Sequence, residues 1–458
     1  MNKTLVIDRR FGFTRVAFYE GTELRDLQIY ESKACAPAEG NIYLAKVAHI
    51  KREIHGAFVH LGDAGQAFLT NAPDSLRPGD CILVQGVAAQ RPGSEKQFRV
   101  RAGIQLPGRW IVFVPNSEKI GCSSKIVDEA RRDELIAWAS QRRQPGEGII
   151  FRSEAKDADW GCIAAEWDHL CQEFQRLKRA VHDTHPRLLW SHPQMNSWLC
   201  VSQGVKPDEI VTNDSSVFHI LGDASTSGLL GTCAVTLDPE EQTLLCDRWG
   251  IDRQIEKLLQ RKHWLPSGAS IVVDPCEAMT VYDVNSGKAT QKDSLSLKQS
   301  INLEAVRWII RHIRLSEISG VILVDLIDTP AGEDAKALLQ EAERSTESDK
   351  DLQIIGITRL GLLEMTRKRS RLSLKERLLG TCPRCHTLAS TPTAAYAAYQ
   401  RLLEARRQEV LEDTGSVELL CTAAEAAEIE RLAQTEYKIQ KTQKGHGSIR
   451  ILLERRRT

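Results

Sequence analysis

The feature that most constrains this chain is a strand–helix–strand pattern within residues 271–330. Three short apolar runs in this stretch, each closed by an aspartate, are predicted to be strands: 271–273, 281–282 and 321–324. Before the last run, apolar residues recur at helical spacing from Asn302 until Gly320, which predicts an amphipathic helix. Strand ends in open α/β sheets converge on one ligand-binding crevice, so we expect Asp283 and Asp325 to lie together there.

The residue types at these strand ends suit a metal ion. The carboxylates of Asp283 and Asp325 and the neutral oxygen of Asn285 are the kinds of ligand that Mg²⁺ prefers. A metal held in this way can activate a water molecule and stabilise charge on a phosphate. Aspartates at strand ends also cap helices and begin turns, so spacing alone leaves that second interpretation open.

Length and composition indicate a multidomain globular protein. A chain of 458 residues is longer than one hydrophobic core usually serves, so two to four domains are expected. The apolar runs are strand-sized and the first residues enter a strand pattern, so neither a membrane span nor a signal peptide is predicted. Twelve scattered cysteines then favour reduced thiols and a cytoplasmic location. The net charge is zero, so attraction for nucleic acid must come from local clusters.

The first hundred residues are typical of short strands joined by glycine turns. The earliest runs predict a small antiparallel sheet that later segments must complete, and the spacing from Gly40 onward predicts a small barrel. Phe58 and Phe68 fall on successive strands with lysines nearby, among them Lys96. Aromatic rings beside cations suit base stacking and phosphate neutralisation of single-stranded nucleic acid. Barrel core is the alternative interpretation of both phenylalanines, and it is the commoner one.

Residues 104–258 alternate between strand and helix patterns. The predicted strands are 108–115, 148–153, 198–201, 209–212 and 217–221, and the predicted helices are 128–140, 165–182 and 251–259. Arg152 and Ser153 close the second of these strands. An arginine followed by a hydroxyl residue can hold a phosphate through charge-assisted hydrogen bonds. A surface arginine at a strand end is the commoner arrangement and stays open as the alternative.

Beyond the strand–helix–strand stretch, a strand is predicted over 354–358 and a basic helix is predicted to open at 361–366. Basic residues along such a helix suit contacts with the phosphates of a nucleic-acid backbone. Cys382 and Cys385 are the cysteine pair with metal-ligand spacing. A structural zinc site needs four ligands, so two chains that each supply this pair would be linked as a homodimer. A redox C-x-x-C is the alternative.

Several motifs in one order resemble the ribonuclease E/G family. They are DVNSGKAT at 283–290, the run at 302–305, ILVDLIDT at 322–329, TRLGLLEMTRKR at 358–369 and CPRC at 382–385. The resemblance implies that Asp283 and Asp325 bind a catalytic Mg²⁺ and that Asn285 assists them. It also implies a structural Zn²⁺ shared by Cys382 and Cys385 of two chains, in a homodimer or in a homotetramer built from two dimers.

The N-terminal half carries further parts of this resemblance. GNIYLAKV, AFVHLG and AFL are similar to the family's OB-fold RNA-binding domain, which implies RNA contacts by Phe58, Phe68 and Lys96. The family's pocket for a 5′-monophosphate on the RNA falls on four residues: Gly108, Val112, Arg152 and Ser153. A serine stands at the last of these positions, where relatives usually have threonine, so the hydroxyl is kept and a methyl is lost.

The fold class that the resemblance implies is a multidomain α+β and α/β chain. Its implied domains are an RNase-H-like subdomain (1–37 and 197–258), an OB-fold RNA-binding domain (38–103), a 5′-sensor domain (104–196), a deoxyribonuclease-I-like catalytic subdomain (259–378), a zinc link (379–390) and a small α/β dimerisation domain (391–458). The long arginine-rich tail of some relatives is not expected here, so the chain resembles the compact, ribonuclease G type.

The function expected from this resemblance is Mg²⁺-dependent endonucleolytic cleavage of single-stranded RNA in RNA processing and decay. Cleavage would leave a 5′-phosphate and a 3′-hydroxyl and would be stimulated by a 5′-monophosphate. One alternative is an RNA-binding scaffold or chaperone of the same fold with weak catalysis. A second is a nuclease that is indifferent to the 5′ end.

Overall fold

A computed structural model describes residues 2–31, 40–88, 97–181, 183–190, 207–226, 233–240, 242–276, 278–287, 295–328, 332–346, 349, 351–368, 372–380, 382, 390–412, 416–434, 436–443 and 448–455. The chain forms two compact units. The first consists of Met1–Ser32, Val201–Asp223 and Thr232–Thr458, and the second of Lys33–Cys200 and Ala224–Gly231. Strands and helices mix in both units, which confirms the mixed α and β class.

The strands within these residues are β1 (Lys3–Arg10), β2 (Phe13–Glu20), β3 (Glu23–Glu31), β4 (Ile42–Lys51), β5 (Gly56–His60), β6 (Gln66–Thr70), β7 (Cys81–Ala88), β8 (Phe98–Arg101), β9 (Leu106–Pro107), β10 (Ile111–Pro115), β11 (Ile120–Cys122), β12 (Glu147–Phe151), β13 (Arg187–Trp190), β14 (Glu209–Thr212), β15 (Ala234–Leu237), β16 (Lys262–Trp264), β17 (Ser270–Pro275), β18 (Met279–Asn285), β19 (Gly320–Asp325), β20 (Leu352–Ile357), β21 (Leu363–Arg367), β22 (Leu379–Gly380), β23 (Thr391–Pro392), β24 (Ser416–Thr422), β25 (Tyr437–Gln443) and β26 (Ser448–Arg455). The α-helices are α1 (Glu129–Arg142), α2 (Trp160–Ala180), α3 (Ser215–Thr226), α4 (Leu245–Arg248), α5 (Ile251–Leu259), α6 (Leu295–Leu315), α7 (Gly332–Thr346), α8 (Leu374–Leu378), α9 (Ala394–Glu412) and α10 (Ala423–Ala433).

The N-terminal sheet of the first unit has the strand order β15-β14-β1-β2-β3. Strands β1 to β3 are antiparallel, as their alternation predicts, and β2 is buried along almost its whole length. Strands β14 and β15 continue the sheet in parallel with β1. The prediction that later segments complete this sheet is therefore confirmed.

Residues 217–221, predicted to be a strand, lie in helix α3, so that prediction was wrong. Asp214 immediately precedes the helix. Its side-chain Oδ1 accepts a hydrogen bond from the Val217 N–H at 3.0 Å, which satisfies a backbone donor of the first helical turn. Short apolar runs have no clear period, and a buried strand and a buried helical turn therefore look alike in sequence. The strand predicted at 198–201 lies outside the described residues.

A closed barrel forms the first part of the second unit. Strands β4, β5, β6, β8 and β7 follow one another around it, and pairing of β7 with β4 closes the circle. The buried side chains Tyr43, Val59, Leu69, Val84 and Val100 belong to its core. Five strands closed in this way are consistent with the expected OB-like barrel.

A four-stranded sheet with the order β11-β12-β10-β9 forms the second part of this unit. Helix α1 starts at the cap residue Asp128, whose carboxylate accepts from two backbone N–H groups of the first turn. Helix α2 brings Trp167 against Phe113 of β10, with ring centroids 5.3 Å apart. The predicted strands and helices of residues 108–182 are all present, with ends shifted by a few residues.

The sheet predicted to hold the metal site has six strands in the order β16-β17-β18-β19-β21-β20. Strands β18 and β19 are parallel, and helix α6 connects them. The apolar face of α6 is buried on one side of this sheet through Ala305, Val306, Ile309, Ile310 and Ile313. The strand–helix–strand prediction is confirmed, although α6 begins at Leu295 rather than Asn302 and ends at Leu315.

The basic helix predicted to open at 361–366 is wrong, because these residues lead into strand β21. In this strand Leu363 and Met365 are buried while Glu364 and Thr366 are half-exposed, which is the two-residue period of a strand. The helix that follows is α8, which has five residues and starts with a capping box at Ser373. The strand predicted at 354–358 is confirmed as β20.

The C-terminal segment folds as predicted, with one addition. Helix α9, strand β24, helix α10 and strand β26 follow in the expected order, but α10 ends at Ala433 and a further strand, β25, begins at Tyr437. The three strands form one antiparallel sheet with the order β24-β26-β25. Helix α9 packs on the N-terminal sheet, where the rings of Tyr399 and Phe13 are 4.6 Å apart. Among the described helices, none is long and apolar enough to cross a membrane.

Candidate functional site

Two aspartates meet at the end of the parallel strand pair in the six-stranded sheet. Asp283 of β18 and Asp325 of β19 are direct register partners, so their Cα atoms lie on neighbouring strands about 5 Å apart. Paired residues point to the same face of a sheet, and both side chains are exposed. The structure thus brings together the two carboxylates that the sequence predicted to converge.

Asn285 completes this acidic face, which we define as Asp283, Asn285 and Asp325. It lies two residues after Asp283 and therefore on the same side of β18. Its amide nitrogen donates to Asp283 Oδ2 at 2.7 Å. That bond uses the amide donor and leaves the amide oxygen and the second Asp283 oxygen as ligand atoms. Two carboxylates and a neutral oxygen on one exposed face fit a hard divalent cation.

The other side of β18 is fixed to helix α6. Tyr282 is buried and its hydroxyl donates to Nδ1 of His312 at 2.9 Å, while Nε2 of His312 lies 3.4 Å from the Leu258 carbonyl. These partners suit a neutral imidazole with its hydrogen on Nε2. Burial lowers the pKa of His312 to about 3, with the neighbouring His263 adding to the effect, so the ring stays neutral at neutral pH.

The loop that follows Asp325 is held by the amide of Asn302 in α6. The Asn302 side chain donates to the Ile327 carbonyl at 2.9 Å and accepts from the Ile327 N–H at 3.0 Å. Asn302 is almost fully buried, and both backbone groups would otherwise need other partners. The sequence resemblance included this asparagine without giving it a role, and only the tertiary structure shows what it contacts.

A second group of possible metal ligands lies elsewhere in the first unit. Cys246, Asp247 and Asp252 have ligand atoms within 4.8 Å of one another. Arg407 already pairs with both carboxylates, with its Nη2 2.5 Å from Asp247 and 2.7 Å from Asp252. Burial raises the pKa of the Cys246 thiol to about 12, which opposes formation of the thiolate that a metal requires. This group is therefore explained as an ion-pair cluster.

Phe58 and Phe68 lie outside the barrel core, contrary to the commoner interpretation of such residues. They are cross-strand partners on β5 and β6, half-buried, with ring centroids 5.3 Å apart in an edge-on arrangement. The Lys51 ammonium lies 5.9 Å from the Phe58 ring centroid. Gly56 leaves room for the second ring, because a Cβ at this position would lie 2.2 Å from Phe68 Cζ. Lys96 lies outside the described residues.

The residues expected to sense a 5′-phosphate lie around one end of β10 and β12. Arg152 donates from Nη1 to the Gly108 carbonyl at 2.7 Å, and the Ser153 hydroxyl donates to the Glu154 carboxylate at 3.0 Å. Val112 is a half-buried residue of β10. The structure thus brings Arg152 into direct contact with Gly108.

Glu166 of α2, which sequence reasoning missed, fills the space next to Gly108. Its carboxylate accepts from three consecutive backbone N–H groups: Arg109, Trp110 at 2.9 Å and Ile111 at 3.0 Å. A Cβ on Gly108 would lie 2.3 Å from the Glu166 carboxyl carbon. Consecutive backbone N–H groups form an anion-binding concavity. The chain's own carboxylate occupies this one.

The basic run, which consists of Arg367, Lys368, Arg369, Arg371, Lys375 and Arg377, does not lie on one helix, because Arg367 ends β21 and the last two residues belong to α8. Arg367 is 6% exposed, and its guanidinium pairs with Asp349 at 2.8 Å and with Glu317 at 3.4 Å. Burial lowers the pKa of Arg367 but these two carboxylates outweigh it, so the pKa is raised. Arg377 donates to backbone carbonyls, among them that of Leu372 at 2.9 Å. These two arginines are therefore structural rather than available to RNA, whereas Lys368 is exposed.

Cys382 of the predicted zinc pair is half-buried and carries a free thiol. Cys385 lies outside the described residues, as do Arg369 and Arg371 of the basic run. The zinc site therefore stays a prediction.

Comparison with known proteins identifies the family of this chain. The model of the Ribonuclease E/G family matches residues 105–370, more than half of the chain. Ribonuclease G of Escherichia coli (strain K12) is 25% identical over 435 residues, which cover 88% of this chain and 87% of that protein. Ribonuclease E of the same strain is 31% identical over 409 residues, which cover 81% of this chain and 37% of that longer protein. Ribonuclease E of Nostoc sp. is 29% identical over 77% of this chain. The chain therefore belongs to the ribonuclease E/G family, a family of endoribonucleases.

Proposed function

We propose that this ribonuclease cleaves single-stranded RNA at the acidic face, with Asp283 and Asp325 as ligands of Mg²⁺. The observation that carries the proposal is the direct register of these two aspartates on parallel strands, with Asn285 on the same face. When bound, Mg²⁺ would supply an activated water and neutralise charge on the scissile phosphate. Cleavage leaves a 5′-phosphate on one product and a 3′-hydroxyl on the other.

The protein's own residues prepare this face. The bond from the Asn285 amide nitrogen to Asp283 orients one carboxylate and leaves the amide oxygen as a ligand atom for the ion or a contact for a phosphate. The Tyr282–His312 bond fixes β18 on the face opposite the acidic face. The two hydrogen bonds from Asn302 to Ile327, which we call the Asn302 clamp, fix the loop after Asp325. Ligands whose orientation is set by such supporting contacts lose little freedom when the ion binds.

RNA binding is proposed to rest on the barrel. Phe58 and Phe68 are half-buried on its outside, and Lys51 supplies a cation beside one ring. Base stacking on aromatic rings is tolerant of sequence, and lysines neutralise phosphates. Lys96 is proposed as a further phosphate contact. The expected ligand of this surface is single-stranded RNA.

Recognition of the RNA 5′ end is proposed for Gly108, Val112, Arg152 and Ser153. The Arg152 guanidinium and the Ser153 hydroxyl are the groups that would contact a 5′-monophosphate. Glu166 opposes this role in the conformation described, because it holds the neighbouring backbone N–H groups and adds a negative charge. A preference for monophosphorylated RNA therefore requires that Arg152 bind phosphate without those N–H groups, or that Glu166 move.

One cleavage experiment tests both parts of the proposal. A short A/U-rich RNA carrying a 5′-monophosphate or a 5′-hydroxyl is incubated with the protein in Mg²⁺ or EDTA. Cutting that needs Mg²⁺ and is faster on the monophosphate supports both the acidic face and the sensor. Equal cutting of the two RNAs retains the nuclease and favours the alternative that is indifferent to the 5′ end.

The variant Asp283→Asn is expected to lower cleavage at least about a hundredfold while RNA binding is kept, because even contacts behind a metal ligand are worth 10- to 100-fold. Asp274→Asn is the matched control. Asp274 is a half-buried aspartate in β17 of the same sheet, and it pairs with Arg261 rather than with the acidic face. Unchanged cleavage by Asp283→Asn would reject the metal site. Binding without cleavage in the unaltered protein would favour the RNA scaffold.

The assembly proposed is a cytoplasmic homodimer, or a homotetramer built from two dimers, in which Zn²⁺ links Cys382 and Cys385 of two chains. A tetrahedral site filled by two pairs leaves no open position, which is typical of structural rather than catalytic zinc.

A further inference from the structure

Strand β16, at the edge of the six-stranded sheet, places two side chains on the same sheet face as the acidic face. Through one intervening residue of β17, Lys262 is in register with Asp283 and Trp264 with Asn285. Residues paired directly across strands point to the same face. Lys262 and Trp264 therefore share that face with the acidic face, about 10 Å away across two strand spacings.

Trp264 exposes a large aromatic surface at this position. Trp264 is 65% exposed, and the Lys262 ammonium lies 4.4 Å from the centroid of its ring. A single exposed aromatic residue is ordinary on a protein surface. This one is unusual in its setting, since a cation and two carboxylates with the character of metal ligands lie on the same face. An aromatic ring beside a cation offers stacking to a base and a contact to its phosphate.

A basic groove continues from Trp264 around the edge strand. It has a volume of about 390 Å³ and is lined by residues of α5, β16 and α6 and by Gln260 between α5 and β16. Among the lining residues are Lys257, Lys262, Trp264, Trp308 and Arg311. Three of these side chains are cationic and two are indoles; of the cations, Arg311 already pairs with Glu23 at 2.7 Å, so Lys257 and Lys262 are the ones considered for phosphate contacts. A polyanion with flat bases matches both features, so the groove extends the same chemistry beyond Trp264.

His263 supplies a second, independent indication of a ligand in this groove. It is 8% exposed and lines the groove, and its Nε2 is buried with no hydrogen-bond partner in the part of the chain that is described. Burial lowers the pKa of His263, partly opposed by a backbone hydrogen bond at Gln260, so the ring favours its neutral form. An unsatisfied buried ring nitrogen is costly unless a ligand or water pairs with it. A ribose hydroxyl or a base amine would provide that partner.

We propose that Trp264 and Lys262 form a nucleotide subsite, in which Trp264 stacks on one base of the RNA near the scissile phosphate and Lys262 contacts its phosphate. The proposal rests on the proposed function, because the acidic face defines where the scissile phosphate lies. The groove behind Trp264, with His263 at its wall, receives the adjoining nucleotide. The RNA thus leaves the acidic face across the edge strand β16.

The test uses short A/U-rich RNAs in which one nucleotide at a time is replaced by an abasic residue. Loss of the stacked base should slow cleavage by the unaltered protein at one position near the cut. Trp264→Ala should lower kcat/KM on the intact RNA by about tenfold to a hundredfold, the range for one stacked base. The loss of cleavage rate caused by the abasic residue at that position, which we call the abasic penalty, should vanish in this variant. The reason is that removal of the ring and removal of the base break the same stacking contact.

Two variants control for damage to the fold. Trp264→Phe retains an aromatic face and should keep most of the activity and of the abasic penalty. Ile355→Ala removes an exposed apolar side chain, 60% exposed, from β20 at the opposite edge of the same sheet and should change neither. Affinity for the same RNAs in EDTA provides a measurement that is independent of cleavage. It should fall in Trp264→Ala alone among the three variants.

Lys262→Gln tests the phosphate contact. Removal of one cation that binds a phosphate should reduce the slope of log affinity against log salt by about one, whatever the RNA sequence. An unchanged slope would restrict the subsite to stacking and overturn the role given to Lys262.

The outcomes separate this subsite from the proposed function. Absence of Mg²⁺-dependent cleavage in the unaltered protein would reject the nuclease itself. Normal cleavage by the unaltered protein together with an unchanged abasic penalty in Trp264→Ala would overturn the subsite alone. A loss of mass on a sizing column in Trp264→Ala, with the abasic penalty intact, would also overturn it and identify Trp264 as a contact between two copies of the chain.

Discussion

At the scale of single residues, the buried pair Tyr282–His312 shows how a polar contact positions a functional side chain. The tyrosine hydroxyl and the imidazole satisfy each other at 2.9 Å inside an otherwise apolar core. Tyr282 points toward α6, so its neighbour Asp283 must point to the opposite, exposed face. The exposed aspartate thus owes its direction to the buried residue before it.

This pair makes stability depend on pH in a predictable direction. The pKa of His312 is lowered to about 3 in the folded protein, below its usual 6.5, because burial disfavours the charged ring. The unfolded chain therefore binds a proton as the pH falls below about 6.5, whereas the folded chain does not. The stabilisation from the neutral ring is complete above that pH. It is lost on acidification, by up to about 1.4 kcal/mol per pH unit.

We expect His312→Gln to be less stable at pH 7.5 but to lose less of its unfolding free energy between pH 7.5 and 5 than the unaltered protein. Urea unfolding at both pH values measures this difference. Asp26, whose pKa is raised to about 6 by burial, has the opposite dependence but is common to both proteins. His219→Gln at an exposed position of α3 is the control. Identical pH dependence in all three proteins would contradict the assignment.

At the scale of elements, α6 organises the six-stranded sheet in two ways. Its apolar stripe covers one face of the sheet, and its polar residues reach specific backbone groups. Asn302 binds both the N–H and the carbonyl of Ile327, two residues beyond Asp325. The helix therefore determines where β19 ends and how its terminal aspartate is presented.

Asn302→Ala should destabilise the first unit by about 2 kcal/mol, because two backbone groups of the half-buried Ile327 lose their partners. Activity should fall more than stability predicts, since the loop behind Asp325 is no longer held. Asn302→Asp is the informative companion variant, because it keeps the acceptor for the Ile327 N–H but loses the donor for the Ile327 carbonyl and buries a charge. Unfolding by urea and cleavage rates measure the two effects. Full activity in both variants would show that the clamp does not position Asp325.

At the scale of the whole molecule, ion pairs and aromatic contacts join distant parts of the first unit. Arg15 of β2 is fully buried and pairs with Asp8 and Asp252, while Arg407 of α9 pairs with Asp252 from the other side. Tyr399 of α9 lies under the Arg15 guanidinium, 5.2 Å from it. Helix α9 is thus part of the same core as the N-terminal sheet.

Assembly of two copies is predicted to depend on the cysteine pair. Replacement of both Cys382 and Cys385 by serine should convert the dimer to a monomer and remove the zinc, because four thiolates from two chains form the tetrahedral site. Light scattering and metal analysis measure mass and zinc, with about half a zinc ion per chain expected in the unaltered protein. Cys276→Ser, at an exposed cysteine outside the pair, is the control. An unchanged mass in the double variant would reject the zinc bridge.

The sequence by itself determined the parts that depend on local periodicity and on residue type. Apolar residues that recur with a period of two or 3.6 residues are visible directly in the sequence. They predicted the strand–helix–strand order around Asp283 and Asp325, the barrel and the C-terminal elements. The family followed from motifs in a shared order. Two local predictions, the strand at 217–221 and the helix at 361–366, were wrong because a helix cap at Asp214 and the pairing of β21 override short patterns.

Only the tertiary structure decided which distant side chains meet. The partners of Asn302, Glu166 and Arg367 lie between 18 and 57 residues away along the chain, and no local pattern carries that information. Pairing register placed Trp264 on the same face as Asn285, and it placed Phe58 and Phe68 outside the barrel core. The physical reason is that periodicity determines whether a segment forms a strand or a helix and which of its residues share a face. Which residues of other segments lie on that same face depends on the register in which the strands pair.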